Sequence, residues 1–439
     1  MKSVTSLDAA RTSLPRIAFF SIAFALGTAG TASAQETVTI GLPLFLSGPG
    51  AASAGEPSRN AAELVIEAMN GGALPAPYDK AGLSGLKVEA KFVDESGNLA
   101  SVVTEYKNMI QRDGVDLVLG YFSSANCHAV APIADELKTL TVLYGCGTST
   151  LFDGNKYTYS FMAAPHTTSD NVAAARYIAK RFPDMKTYSG INNNYSWGHE
   201  NWRDFDLSVK ALLPQATVGK ELYTKLFAGD YGAEISSLLS SGSSVIQSSF
   251  WGSDLETLAM QGAARGLPAR SPFVFTVGEQ MLPRQPENMP DGTILGARGA
   301  NGMLAPDNAL SNWFRDAYVN KYNVRPNFPA YQMFQSLLGV KAAWEKAAAA
   351  GGTDKPASDA LADAFRYLEF ETASGTVRMA IGGGHQAVQD VPIGIYSYDK
   401  AASEPRVSDV EVFPAMCVNP PDGVSAAEWL EKGMPGAQC

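Results

Sequence analysis

Two short loops rich in glycine and hydroxyl residues are the parts of this sequence best suited to binding chemistry. They are Gly120-Tyr121-Phe122-Ser123-Ser124-Ala125-Asn126 and Gly145-Cys146-Gly147-Thr148-Ser149. Each follows an apolar run typical of a buried strand, and the first also precedes a helical pattern. The N–H groups and the dipole of a helix N-terminus attract anions, and serine hydroxyls can donate to the same anion. The pattern predicts a carboxylate-binding site, although a serine at this position is also a common helix cap.

The two loops are expected to lie side by side. The strands before them, residues 115–119 and 140–143, are joined by a segment with a helical pattern. Parallel strands connected in this way end at the same edge of a sheet, and open α/β sheets bind their ligands at that edge.

Catalytic motifs have much weaker support. The segment Gly48-Pro49-Gly50-Ala51-Ala52-Ser53 resembles a dinucleotide-binding loop whose third glycine is serine, but the proline restricts the turn and no acidic residue follows at the expected distance. GxSxG, HExxH and Walker motifs do not occur, and no histidine stands in a recognisable catalytic setting. We therefore predict no catalysis and no cofactor; a triad assembled in space stays an open alternative.

The four cysteines suggest disulfide bonds. Cys127, Cys146, Cys417 and Cys439 allow three pairings, and local closure favours 127 with 146 and 417 with 439. Free thiols are the alternative. A zinc site is disfavoured because no CxxC occurs and the four histidines are scattered along the chain.

The N-terminus has the pattern of a secretory signal. Lys2, Arg11 and Arg16 precede an apolar stretch, residues 17–26, which is too short to span a bilayer, and Ala32-Ser33-Ala34 forms an A-x-A cleavage site. We predict export with cleavage after Ala34, the alternative being an uncleaved anchor. Export disfavours functions that need cytoplasmic ATP, NAD or nucleic acid.

Length and charge narrow the function further. Residues 35–439 are too many for one ordinary core and predict two domains or lobes. Without the predicted signal, 31 basic and 43 acidic residues remain, and this acidic balance argues against binding to nucleic acid or anionic lipid. No later segment is a long uncharged apolar run, so we predict no membrane insertion after the signal is removed.

Strand and helix patterns alternate along the chain, which indicates parallel sheets with helices on both faces. The first series runs to residue 143, and a second series of similar size spans residues 173–277. A long helical stretch follows at residues 311–322 and 331–350, with further strands expected at 376–379 and 391–398. The tail from residue 403 is rich in proline and turn residues.

Several blocks of sequence resemble a known family. They are IGLPLFLSGPGA, GYFSSANCHAVAPIADELK, CGTS, NNNYSWGHENWRDF and FWGSDLETLAMQGAARG. In this order and spacing the chain resembles the periplasmic leucine/isoleucine/valine-type (type I) substrate-binding proteins of ABC importers over nearly all of residues 35–439. The YSWG block is more similar to members that take up aromatic or other organic acids.

The resemblance implies an α/β fold of two doubly wound parallel-sheet lobes, joined by three crossovers and closing on a ligand. The implied divisions are a signal at 1–34, lobe 1 at 35–163 and 302–375, lobe 2 at 164–301 and 376–402, and a disulfide-pinned tail at 403–439.

The resemblance also implies a ligand site between the lobes. Ser124, the Cys146 backbone and Thr148 would hold a ligand carboxylate, with Ser123 and Gly147 beside them. The facing lobe offers Phe250 or Trp251, and Glu279 stands where amino-acid binders hold an α-ammonium group. Further aromatic residues expected near the cleft are Phe122, Tyr195, Trp197, Phe328 and Tyr331. The implied Cys127–Cys146 bond would tie the two ligand loops together.

One departure bears on the ligand. Ala54 replaces a tyrosine that lines the pocket of branched-chain members, which enlarges the pocket and disfavours a branched aliphatic ligand. We expect a solute-binding protein that delivers a small amino acid, amide or aromatic acid to an inner-membrane ABC permease. A ligand sensor of the same fold and an exported hydrolase are the alternatives.

Overall fold

The computed structural model describes residues 36–154 and 156–439. The predicted signal and its cleavage site lie outside the described residues. The description begins with β1 (Thr37–Leu44), α1 (Glu56–Gly71), β2 (Lys87–Asp94), α2 (Leu99–Gln111), β3 (Leu117–Gly120), α3 (Ser124–Leu137), β4 (Thr141–Leu143) and β5 (Ser160–Met162). These elements confirm the first predicted strand–helix series.

The second series begins after a short connection. It comprises α4 (Thr167–Arg181), β6 (Thr187–Asn193), α5 (Ser196–Leu212), β7 (Thr217–Thr224), α6 (Gly232–Ser241), β8 (Val245–Ser248), α7 (Ser253–Ala264), β9 (Phe273–Phe275) and β10 (Ile294–Leu295). The strand sequence VIQS of β8 and the sequence FVF of β9 are buried throughout, as expected of parallel strands covered on both faces.

The chain then returns to the first sheet and ends on the second. The return comprises α8 (Ala309–Tyr322), α9 (Phe328–Gly351), α10 (Ser358–Phe365), β11 (Glu369–Thr372), β12 (Gly375–Ile381) and β13 (Gln386–Val388). The last elements are β14 (Val391–Asp399), β15 (Glu404–Phe413), α11 (Ala415–Val418) and α12 (Ala426–Glu431).

Two mixed, mainly parallel sheets organise these elements. The first has the order β11-β12-β13-β5-β4-β3-β1-β2 and the second the order β15-β14-β10-β9-β8-β6-β7. We call lobe 1 the part built on the first sheet (residues 36–162 and 309–388) and lobe 2 the part built on the second (167–295 and 391–439). Residues 163–166, 296–308 and 389–390 connect them. The predicted α/β class with three crossovers is therefore confirmed.

Strand pairing corrects one predicted boundary. Residues 376–402 were assigned to lobe 2, but β12 pairs antiparallel with β11 and β13, and β13 pairs with β5 of the first sheet. The third crossing therefore lies at residues 389–390 and not at 375/376. The predicted tail also starts later, because β15 pairs along its length with β14 and extends the second sheet.

Helix α9 shows how local sequence sets the wall of the site. Asn327 caps its N-terminus by accepting from the Ala330 N–H (3.4 Å), and a proline occupies the first turn. The helix is buried on most of its surface and ends at Gly352, whose φ of 64° is the left-handed conformation that glycine adopts easily. Its buried first turn brings Phe328 to the boundary between the lobes.

Both predicted disulfides are present. Cys127 on α3 is bonded to Cys146, which joins the two candidate loops, and Cys417 is bonded to Cys439 in the tail. The tail is held to lobe 2 by Trp429, which is fully buried in the core there. In the described part of the chain, no helix is both long and apolar enough to cross a membrane.

Candidate functional site

A small cavity lies where the two lobes meet. Its lining comes from lobe 1 (Phe122, Gly145 and Phe328), from lobe 2 (Tyr195, Trp197, Trp251 and Val277) and from the second connection (Arg298). Its volume is about 10 Å³, which is room for roughly one water molecule. The aromatic side chains therefore meet across the boundary and nearly fill the space between the lobes.

Aromatic rings from both lobes form the walls of this cavity. The ring centroid of Phe122 lies 5.3 Å from that of Trp251 and 6.2 Å from that of Phe328. The Trp251 indole N–H donates to the Tyr195 hydroxyl (3.0 Å), and the Trp197 indole N–H donates to the Ser249 carbonyl (2.9 Å). Both indoles are thus oriented by hydrogen bonds, and their faces are suited to stacking on a flat ligand.

Strand ends place these rings. After β3 the backbone of Tyr121 takes a φ of 67°, an uncommon conformation for a residue other than glycine, and Phe122 follows it. Trp197 lies in the first turn of α5, directly after β6. Trp251 follows β8 and precedes α7. Phe122, Trp197 and Trp251 therefore come from the carboxyl ends of strands in both sheets, where α/β folds bind ligands.

Arg298 supplies the positive charge of the cavity. Its guanidinium donates to the carbonyls of Gly145, Cys146 (3.2 Å) and Pro165 (2.6 Å), and lies 5.0 Å from the centre of the Trp197 ring. Only 2% of the residue is exposed, and its φ of 48° is again a left-handed value. A buried, oriented guanidinium beside aromatic rings is suited to an anionic aromatic ligand.

Asp170 is the counter-charge of Arg298. One carboxylate oxygen lies 3.6 Å from the Arg298 Nε, and both residues are buried. No donor in the described chain reaches this carboxylate with full hydrogen-bond geometry, although the Gly299 amide is near enough to favour its charged form. Burial raises the pKa of Asp170 to about 7, while the guanidinium opposes that rise. The pair is therefore held together mainly by charge.

The first candidate loop is occupied by a side chain of lobe 1. The Phe122 N–H donates to the two oxygens of Glu95 (2.9 and 3.1 Å), and the Asn126 side chain donates to the same group (3.0 Å). Burial raises the pKa of Glu95 to about 8, and these donors only partly offset it. Ser123 makes no capping bond with its side chain, and the Ser124 hydroxyl is buried without a partner among the described residues.

The second candidate loop is occupied by a side chain of lobe 2. Glu200 on α5 accepts from the Thr148 hydroxyl (2.9 Å) and from the Ser149 N–H (2.6 Å). The Thr148 hydroxyl also contacts His128 Nε2 (3.0 Å). Burial and the nearby Asp204 raise the pKa of Glu200. Thr148 therefore lies at the lobe boundary but outside the cavity lining.

Glu279 also lies outside the cavity lining. Its carboxyl group accepts from the Phe328 N–H (2.7 Å) at the start of α9, and the residue is fully buried. Burial raises the pKa of Glu279 to about 8. The side chain thus links lobe 2 to the first turn of α9, and its predicted contact with a ligand ammonium group stays a prediction.

The remaining predicted residues divide between the cavity and the cores. Tyr331 packs against Phe314 in lobe 1 (5.0 Å between ring centres), and Phe250 packs against Tyr231 in lobe 2 (4.9 Å). Ala54 is fully buried in the core that adjoins the site. Gly147 lies where a methyl group would overlap the ring of Trp197 and the guanidinium of Arg298, so the absence of a side chain permits this close approach.

Sequence reasoning missed Arg298, Glu95 and Glu200. Glu95 follows β2 and so lies at the sheet edge that carries both loops, which is a signal that could have found it. Glu200 stands three residues after Trp197 on one helix, a spacing that places both on one face. Arg298 has no comparable signal, because its partners in the second loop are about 150 residues away.

Comparisons with known proteins agree with this architecture. The family described as "Periplasmic binding protein" matches residues 37–400. A relative named Leu/Ile/Val-binding protein homolog 3, from Brucella melitensis, is 26% identical over 230 residues, which are 52% of this chain and 58% of the relative. The match thus spans little more than half of that relative's length.

Solved structures share the fold at low identity. A solute-binding protein of an ABC transporter from Rhodopseudomonas palustris BisB5, in complex with 3,4-dihydroxybenzoic acid, is 18% identical with a TM-score of 0.73; the match covers 86% of this chain and 98% of that one. A branched-chain amino acid transporter substrate-binding protein from Streptococcus pneumoniae, in complex with isoleucine, is 17% identical with a TM-score of 0.71, covering 86% and 100%.

Proposed function

The chain belongs to the periplasmic binding protein family, and from this premise we propose that it captures a small aromatic carboxylic acid between its lobes for delivery to an ABC permease. The observation that carries the proposal is the cavity at the lobe boundary, where Arg298 lies among rings contributed by both lobes. An aromatic acid has the two groups that this cavity complements, a flat apolar ring and an anion.

The ring would lie between the aromatic walls. Phe122 and Phe328 come from lobe 1 and Trp251 from lobe 2, so a ring between them contacts both lobes at once. A cavity of about 10 Å³ is too small for a benzoate-sized molecule, so binding requires the lobes to separate and then close around the ligand. The ligand would thereby replace direct ring-to-ring contacts between the lobes.

The carboxylate would face Arg298. Three carbonyl acceptors hold the guanidinium in position, and one N–H of Nη1 is left without an acceptor among the described residues. The two loops that were predicted to hold a carboxylate already accommodate Glu95 and Glu200. Dissociation constants in the micromolar range correspond to about −8 kcal/mol, which a buried ring and one charge-assisted contact can supply.

Two further observations favour an aromatic acid over an amino acid. Glu279, the predicted partner of an α-ammonium group, is directed to the start of α9. The structural neighbour from Rhodopseudomonas palustris binds a dihydroxybenzoic acid. Delivery to a permease in the inner membrane and residence in the periplasm follow from the family and the predicted signal, and no catalytic step is part of the proposal.

A matched ligand series tests the proposal. Benzoate, benzamide, cyclohexanecarboxylate and leucine separate the contributions of charge, ring and ammonium group. Benzoate and its hydroxylated analogues are expected to raise the melting temperature and quench tryptophan fluorescence, because only the folded state offers the cavity. Benzamide and cyclohexanecarboxylate should bind at least tenfold more weakly in calorimetry. Tighter binding of leucine than of any benzoate would refute the assignment.

A variant pair locates the site. Trp251→Ala removes one wall of the cavity and should weaken benzoate binding by tenfold or more. Trp429→Phe changes the core of lobe 2 outside the cavity lining and serves as the control, with affinity expected to stay within twofold. Equal affinities for Trp251→Ala and wild type would place the ligand elsewhere.

A further inference from the structure

A carboxylate from one lobe is bound by a loop of the other lobe. Glu200 projects from α5 in lobe 2 and is only 6% exposed. Its oxygens accept from the Thr148 hydroxyl (2.9 Å), the Ser149 N–H (2.6 Å), the Ser149 hydroxyl (3.2 Å) and the Thr150 hydroxyl (3.1 Å). Donors from three successive residues of lobe 1 thus surround one side chain of lobe 2.

These donors form a complete receptor for a carboxylate. Two carboxylate oxygens can accept about four hydrogen bonds, and four donor groups face them here. The Cys127–Cys146 disulfide fixes the start of this loop to α3 of the same lobe, so this anchor does not depend on Glu200. The Arg203 guanidinium, which comes from the same helix as Glu200, donates to the Ser149 hydroxyl (2.8 Å) and adds a second contact between the lobes.

The bound group can be present only when the lobes meet. Glu200 moves with lobe 2 and the loop moves with lobe 1, so separating the lobes withdraws the carboxylate from its donors. The loop in the separated state would then expose the same donors to any carboxylate in solution. A diffusible acid and Glu200 would compete for one set of hydrogen bonds.

We propose that the loop at residues 148–150 is a carboxylate-binding site whose occupant is the chain's own Glu200. The bound Glu200 latches the two lobes together. It also keeps the acid group of a diffusible ligand out of that loop. The site takes small monocarboxylates such as acetate when Glu200 is removed. The separation of the lobes and the effect on ligand choice rest on the proposed function: a ligand excluded from this loop must place its acid group beside Arg298.

Rescue by acetate tests the receptor directly. Glu200→Ala removes the occupant and leaves the Ser149 N–H without an acceptor among the described residues, so the variant should melt below wild type. The Thr148 hydroxyl keeps its contacts with His128 and Thr150, and the Ser149 hydroxyl keeps a longer one with Asp204 (3.4 Å). Acetate at 100 mM is expected to raise the melting temperature of this variant by about 2–3 °C with saturation, whereas equal ionic strength from sodium chloride should not. Wild type should show no such difference between acetate and chloride.

A control on the same helix isolates the receptor. Asp206→Ala removes a carboxylate that binds Lys210 and Tyr188 instead of the loop, so acetate should not stabilise it. Adding Thr148→Val and Thr150→Val to Glu200→Ala removes two donors and should abolish the rescue. Equal responses of Glu200→Ala and Asp206→Ala to acetate would overturn the proposal.

A second variant covers the case in which Glu200→Ala does not fold. Glu200→Gln keeps the side-chain shape and removes the charge, and it should increase hydrogen exchange at the Ser149 amide at least tenfold while β3 stays protected. Unchanged exchange at Ser149 would overturn the latch. Neither measurement uses an aromatic ligand, so failure of the latch and failure of the proposed function give different results.

Discussion

The buried pair of Arg298 and Asp170 gives the sharpest test of how charge is arranged in the cavity. We consider Arg298→Met, which keeps much of the side-chain volume and removes the guanidinium. The variant leaves Asp170 buried, with no donor of full hydrogen-bond geometry in the described chain and no counter-charge within contact distance. Breaking one side of a buried ion pair costs about 3–5 kcal/mol, so the free energy of unfolding should fall by that amount near pH 8.

The loss of unfolding free energy in Arg298→Met should depend on pH, because protonation removes the charge of the buried Asp170. Without Arg298, the pKa of Asp170 rises further above its ordinary value, because burial is then opposed only by the Gly299 amide. The folded state therefore binds a proton that the unfolded state has released, and the stability of the variant should fall as the pH rises from 5 to 8. At pH 5 the loss relative to wild type should be smaller, since protonated Asp170 carries no charge.

A double-mutant cycle separates this effect from lost packing. Asp170→Asn removes the charge that Arg298→Met leaves behind, so the double variant should be more stable than the sum of the single losses predicts, by about 2 kcal/mol or more. It should also lack the added pH slope. Urea unfolding followed by circular dichroism at pH 5 and pH 8 measures all four proteins. Additive losses, or a loss below 1 kcal/mol for Arg298→Met at pH 8, would show that Asp170 is not left as an unpaired buried charge.

Three further predictions concern the loops around the cavity. Gly147→Ala places a methyl group against Trp197 and should hold the lobes apart, which would appear as a larger radius of gyration in X-ray scattering and as ligand binding weakened at least tenfold. The pKa of Glu95 is raised from 4.5 to about 8, which corresponds to roughly 4–5 kcal/mol between its two protonation states. Wild-type stability should therefore decline between pH 5 and 8 relative to Glu95→Gln, and parallel pH profiles in urea unfolding would contradict this. Replacing both Cys127 and Cys146 with serine opens a link across 19 residues and should lower the free energy of unfolding by about 3 kcal/mol, measured against oxidised wild type.

Most of the fold could be predicted from the sequence because its signals are local. Alternating strand and helix patterns marked both series, and the small spacing within each cysteine pair favoured the observed disulfides. The error at residues 376–402 has a physical reason: alternation along β12 shows that it is a strand but carries no information about which sheet it joins. Membership of the first sheet depends on the pairing of β12 with β11 and β13, its neighbours along the chain. The side-chain pattern within β12 does not encode that pairing.

The site was predicted less completely because its decisive contacts are not local. The rings of Phe122, Trp197 and Trp251 were expected near the cleft from the resemblance to the family, and all three line the cavity. The charged residues of the site were not predicted, because the sequence of a loop does not show which side chain contacts it from another lobe. Arg298 binds carbonyls of the second loop from a connection about 150 residues later in the chain.

The positions of the buried acids suggest why the positive charge of the cavity resides on Arg298. A loop with free N–H and hydroxyl donors attracts any anion, and Glu95 and Glu200 satisfy those donors from within the chain. A ligand carboxylate that entered either loop would have to displace a group that is covalently attached and therefore present at high local concentration. The guanidinium of Arg298 is paired with Asp170 only at Nε, and its hydrogen-bond partners are backbone carbonyls, so its Nη1 keeps one N–H without an acceptor among the described residues. Removal of either glutamate should therefore broaden the range of acids that the protein binds, whereas removal of Arg298 should restrict binding to neutral aromatic compounds.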